Sequence, residues 1–206
     1  MIDAAFLITA FTTLFVVIDP PAQTPIFVAL TQGMDKHTRR GIATRACLTA
    51  AGILAMFAAF GEAVLGFVGI SMEAFRVAGG VLLFLTALDM LFERRTKRRE
   101  TSAEEEEHAD PSVFPLGIPL IAGPGAIATM ILLAGQHPGI QGLAVVIGVM
   151  LFVVAMVFVM YLTSGAVARL LGKTGLNVLT RLLGMLLAAL SVQFILDGLK
   201  AFGFAS

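Results

Sequence analysis

Six runs of about 20 or more apolar residues dominate this chain, and that is the length a helix needs to cross the hydrocarbon of a bilayer. They fall at Ala4–Leu30, Ala43–Val68, Ala74–Phe92, Val113–Ala134, Leu143–Val167 and Leu176–Phe202. In a chain of 206 residues this leaves only short connections and no separate soluble domain. Hydrophobic residues make up 58% and charged residues 14%, against roughly 45–50% and about 25% in soluble domains. The expected fold is therefore an all-α membrane protein with six transmembrane helices.

The charges are balanced, fourteen basic against fourteen acidic, so nothing in the net charge attracts nucleic acid. Their placement carries more information. Lys36, Arg39, Arg40 and Arg45 lie near the first connection, Arg94, Arg95, Lys97, Arg98 and Arg99 in the third, and Arg169, Lys173 and Arg181 near the fifth. The opposite side has only Arg76 and Lys200. Since Lys and Arg concentrate in cytoplasmic loops, both termini are expected outside, with the three basic connections inside. The stretch 93–112 reads as a charged cytoplasmic linker between units 1–92 and 113–206. A lone cysteine, Cys47, and three scattered histidines supply no metal cluster or redox pair,. No metal, cofactor or enzymatic activity is expected.

The two units resemble each other. Ile18-Asp19-Pro20-Pro21 aligns with Ile121-Ala122-Gly123-Pro124, and Arg76, Gly79, Leu82, Leu85 and Thr86 align at one offset with Arg181, Gly184, Leu187, Leu190 and Ser191. A duplicated unit with an odd number of spans must insert upside down, so the expectation is two inverted three-helix repeats, as in many secondary transporters. Both first spans are interrupted by proline, which breaks a helix interior but suits a helix start. Spans one and four are accordingly expected to be broken helices. The second half of span one would begin at Asp19, acting as cap, about 22 Å along a helix begun at Ala4; the second half of span four would begin at Gly123-Pro124-Gly125. Two half-helix N-termini facing each other in mid-membrane would carry partial positive charge and unsatisfied N–H groups, suited to a carboxylate or dipolar ligand.

Other intramembrane polar groups are candidates for coupling or gating. Glu62 and Arg76 are placed to pair near one face, and Arg45 and Asp89 near the other. The stripe Ala51, Ala55, Ala59 is expected to pack helix against helix.

The segments FVVIDPPAQTPIFVALT (Phe15–Thr31), FRVAGGVLLFLTALDML (Phe75–Leu91), PLGIPLIAGPGAIATMI (Pro115–Ile131) and RLLGMLLAALSVQFILDGL (Arg181–Leu199) together resemble the MarC family of bacterial integral membrane proteins, over essentially the whole chain. The resemblance implies six helices in the bacterial inner membrane, kinship with the LysE-type transporters, and transport of small neutral amino acids. The motif positions it carries over are Asp19, Pro20, Pro21, Gln23, Thr24 and Pro25, with Gly123, Pro124, Gly125 and Thr129. The expected partners are the lipid bilayer and a small-molecule substrate such as glycine or alanine, and self-association into a homo-oligomer is compatible with the sequence. Two other readings are a passive channel for a small neutral molecule and a membrane scaffold without cargo.

Overall fold

The computed structural model describes residues 3–92 and 110–204, and among these every regular element is helical. In order they are α1 (Ala4–Ile18), α2 (Pro20–Leu30), α3 (Lys36–Val68), α4 (Met72–Leu91), an irregular segment Ser112–Ile121, then α5 (Pro124–Gln136), α6 (Ile140–Leu162) and α7 (Ser164–Phe202). By length and hydropathy five helical stretches can cross a membrane, and six if Ser112–Ile121 and α5, bent by 55°, form one span. The linker charges Arg94, Arg95, Lys97, Arg98, Arg99 and Glu104 to Glu107, and the side chains of Arg169 and Lys173, lie outside the described residues.

Helix boundaries depart from the apolar runs where polar residues continue the helix. The α3 helix starts at Lys36, before the apolar run, because the Asp35 carboxylate accepts the His37 and Thr38 N–H groups, each at 3.3 Å. That contact is an N-cap, which supplies acceptors to orphan first-turn donors. It also holds the Asp35 carboxyl below its ordinary value, chiefly through Thr38. The α7 helix starts at Ser164 but is interrupted at Gly172 (φ 58°, ψ 178°), a backbone conformation open to glycine,. Its membrane-length part is Thr174–Phe202.

The tightest seam joins α4 to α7, running antiparallel: Glu73 and Val77 meet Gly198, Gly80 meets Ser191 and Ile195, and Ala87 and Met90 meet Gly184. A Cβ on Gly80 would stand 2.9 Å from the Ser191 carbonyl oxygen, so only glycine allows this approach,. The α3 helix packs on α5, α6 and the irregular segment. Its inward face is Ala43, Ala46, Cys47, Ala50, Leu54, Ala58, Gly61 and Leu65. This corrects the expected stripe: Ala51 and Ala55 are only half-buried and Ala59 is exposed. Small residues do line the helix contact, but the face is turned because Gly61, which admits Ile131 of α5, sets the rotation.

Three connections gather at one end of the bundle. Arg39 Nη2 donates to Ser164 Oγ at 2.9 Å, Arg45 Nη2 pairs with Asp110 at 2.9 Å, and Arg45 Nε donates to Ser112 Oγ at 3.3 Å.

Candidate functional site

The α1 helix ends where Asp19 enters the left-handed region (φ 57°, ψ 63°), its N–H donating to the Phe15 carbonyl at 2.8 Å. Aspartate is one of the few residues that tolerates this conformation, and a non-glycine residue so placed stores backbone strain. Pro20 and Pro21 then open α2. Neither has an N–H, and the Gln23 N–H bonds the Asp19 carbonyl, so the first turn of α2 keeps one orphan donor, that of Ala22. Asp19 occupies the cap position, yet its side chain makes no capping bond to α2, which corrects its expected role as a side-chain cap. With prolines at the first two helical positions there is little for it to cap. Its side chain is instead fully buried.

The second break is built differently. Phe114 and Ile118 are extended, and wide turns close through Leu116 N–H to Pro111 O at 3.3 Å and Ala122 N–H to Gly117 O at 2.9 Å. Gly123 then caps α5 in the β region, with Pro124 opening the helix. The α5 N-terminus abuts the end of α1: a Cβ on Gly125 would meet Val17 at 3.1 Å and Thr86 Oγ1 at 3.6 Å.

Gln23 ties the two breaks together. Its Nε2 donates to the carbonyl of Ile18, at the end of α1, and to that of Leu120 at 3.1 Å, in the segment before α5. Its Oε1 accepts from the Tyr161 hydroxyl at 2.7 Å. One buried amide thus satisfies carbonyls freed at both interruptions and is itself held by α6. The Tyr161 ring stacks on Phe27, with centroids 4.3 Å apart and planes 5° from parallel. Threonines satisfy their own helices: Thr24 Oγ1 donates to Pro20 O and Thr129 Oγ1 to Gly125 O, at 3.1 and 2.8 Å.

Of the sequence-derived site residues, Asp19, Pro20, Pro21, Gln23, Thr24, Gly125 and Thr129 are buried at or beside this junction. Gly123 is half-buried and Pro124 exposed, so the second N-terminus turns its first residues outward. The expected Glu62–Arg76 pair does not form: Glu62 is exposed, and Arg76 is half-buried with a buried Nε that has no hydrogen-bond partner among the described residues. The reason is rotation, since Glu62 follows inward-facing Gly61 and a helix turns about 100° per residue. Arg45 pairs with Asp110, not with half-buried Asp89. Burial raises the Asp110 carboxyl, but bonds from Ser112 and the charge of Arg45 outweigh it and leave it below its ordinary value.

Sequence reasoning missed Tyr161, the Leu120 carbonyl, Arg39 and Ser164. Tyr161 had a signal: it is the single tyrosine in a chain without tryptophan, and a tyrosine buried in an apolar run needs a partner for its hydroxyl. The Leu120 carbonyl had none, because which backbone group is freed depends on the irregular turns before it.

These features define a polytopic helical membrane protein with a polar junction sealed inside it. Residues 4–202 match the family described as MarC family integral membrane protein, and the chain belongs to that family. It is 38% identical over 200 residues to the UPF0056 membrane protein YvbG of Bacillus subtilis, covering 95% of each chain. It is 37% identical to a UPF0056 membrane protein of Archaeoglobus fulgidus (95% of this chain, 92% of the relative), and 34% identical to the UPF0056 inner membrane protein YhgN of Escherichia coli (94% and 96%). The family therefore spans bacteria and archaea. No solved structure matches the chain.

Proposed function

We propose that this protein is a secondary transporter of small neutral solutes such as glycine or alanine. It would reside in the inner membrane, as the name of its Escherichia coli relative states for that protein. The observation that carries the reading is the sealed polar junction, where Asp19, Gln23, Thr24 and Thr129 are all 0% exposed within an apolar bundle. Ionisable and amide groups are costly at membrane depth and are kept there for function. The small residues Gly125 and Ala126 let backbone approach a small cargo, and the amides of the α5 first turn suit its carboxylate. Asp19 would face the ammonium group or exchange a coupling proton.

An inverted duplication fits the same reading. Counterpart elements α3 with α6 and α4 with α7 contact one another, and the antiparallel α4–α7 seam is what a two-fold axis in the membrane plane would produce. Spans one and four then act as broken helices whose interruptions meet. With the basic end of the bundle cytoplasmic, both termini lie outside. Sealed side chains favour a carrier over an open channel, whose polar groups would be wet.

Counterflow of labelled alanine in proteoliposomes tests the proposal. A carrier exchanges label against internal alanine, and Asp19→Asn should keep exchange while losing gradient-driven uptake. Downhill flux without exchange would make the protein a channel, and no flux of either kind would remove the transport reading.

A further inference from the structure

Apart from the junction, α2, α3, α6 and α7 surround a cavity of about 470 Å³, lined among others by Phe27, Lys36, Arg39, Arg40, Tyr161 and Ser164. Three of these side chains are cations, from one face of the first turns of α3, since positions three and four apart are neighbours on a helix. The lining holds no acid. Among the described residues, none of the three cations has a carboxylate partner. Asp35, the nearest acid in sequence, is engaged in capping α3.

Arg39 is fixed in place. Its guanidinium carbon lies 5.6 Å from the centroid of the Phe27 ring, and Nη2 donates to Ser164 Oγ at 2.9 Å. Arg39 lines the cavity, and among the described residues its guanidinium makes no other hydrogen bond. Three like charges around one concavity repel each other and draw in a counter-anion. A single carboxylate would need only one arginine fork, whereas several converging cations suit an oxyanion with more charge and more acceptors.

We propose that this cavity binds a phosphate-bearing anion. Arg39 is the preorganised fork, backed by the buried Phe27–Tyr161 stack, and Lys36 and Arg40 supply the outer charges. The site is distinct from the sealed junction and does not rest on the transport reading, although Tyr161 borders both.

The test uses the full chain in neutral detergent, with thermal stability followed against glycerol 3-phosphate and inorganic phosphate at constant ionic strength, chloride being the replaced anion. Glycerol 3-phosphate should raise the melting temperature saturably. Arg39→Gln should raise the half-saturating concentration by about tenfold or more, Arg39→Lys by less because charge persists without the fork, and Arg45→Gln not at all. The double variant Lys36→Gln/Arg40→Gln, at two exposed positions, carries the test should Arg39→Gln fail to fold. A second arm places the protein in nanodiscs of phosphatidylcholine with increasing phosphatidylglycerol. Saturable stabilisation there alone, abolished by the same variants, assigns the phosphate to a lipid headgroup, whereas stabilisation by the soluble ester assigns it to a free metabolite. The proposal is overturned if neither arm gives a saturable effect, or if the variants respond as the unaltered protein does.

Discussion

Removing one oxygen atom, by Tyr161→Phe, isolates the bond that holds the Gln23 amide. The ring is retained, so the stack on Phe27 and the packing of a residue only 1% exposed stay as they are. What is lost is the 2.7 Å bond to Gln23 Oε1, an acceptor in a side chain that is fully buried. Leaving a buried acceptor unsatisfied costs about 1–3 kcal/mol. Side-chain hydrogen bonds between membrane helices average about 0.6 and reach about 1.7 kcal/mol, because the opened state also finds partners. Both partners are almost wholly buried, so the part common to the two ranges applies, about 1–2 kcal/mol. In a chain of this length each kcal/mol shifts the melting temperature by about 2–4 °C, and the drop should be about 2–8 °C. Unfolding in detergent, followed by circular dichroism, measures it. A cycle with Gln23→Leu sharpens the result: with the acceptor already gone, removing the hydroxyl should cost less than it does in the unaltered protein. If Tyr161→Phe lies within about 0.3 kcal/mol of the unaltered protein, or the two changes simply add, the amide is not held as described.

Three further outcomes follow from the same contacts. Gly80→Ala places a methyl 2.9 Å from the Ser191 carbonyl oxygen and 2.7 Å from Ile195 Cγ1; forcing α4 and α7 apart should cost about 1–3 kcal/mol in the same unfolding measurement. Asp19→Val puts a β-branched residue at φ 57° and should lower stability by about 1–3 kcal/mol, whereas Asp19→Asn, which tolerates the left-handed region, should not; equal losses would show that backbone conformation is not what Asp19 supplies. The Arg45–Asp110 pair is about half exposed on both sides (53% and 50%), so Asp110→Asn should cost at most about 1 kcal/mol at neutral pH. Because the folded carboxyl titrates below its ordinary 3.8, that contribution is present above pH 3.8 and fades as pH falls through the lower folded value. The variant and the unaltered protein should therefore converge in acid.

What could be read from the sequence was whatever depends on local chemistry. Apolar runs give membrane-length helices because backbone groups in hydrocarbon must be satisfied within the segment. The helix interruption at Asp19-Pro20-Pro21 was legible because proline constrains its own backbone and removes a donor, wherever it sits. The rotation of each helix was not legible. In α3 every residue from Ala46 to Gly61 but Thr49 is small or apolar, so Ala51, Ala55, Ala59 looks as good a packing stripe as Ala50, Leu54, Ala58, and the choice depends on contacts with distant helices such as that of Ile131 on Gly61. The failure of the Glu62–Arg76 pair has the same origin. Long-range polar bonds were likewise hidden, since Gln23 and Tyr161 are separated by 138 positions and no local rule links them.

The glycines of the α4–α7 seam also act as an index. Val77 rests over Gly198, Ile195 over Gly80 and Met90 over Gly184, three teeth seated in three notches along an antiparallel pair. Sliding either helix by one turn, about 5.4 Å, would lift every tooth from its notch at once and press it on a neighbouring side chain. Movement along the seam is barred, while small rotation about it keeps the teeth seated. For the transport proposed above, this keyed seam would let α4 and α7 rotate against each other but not slide.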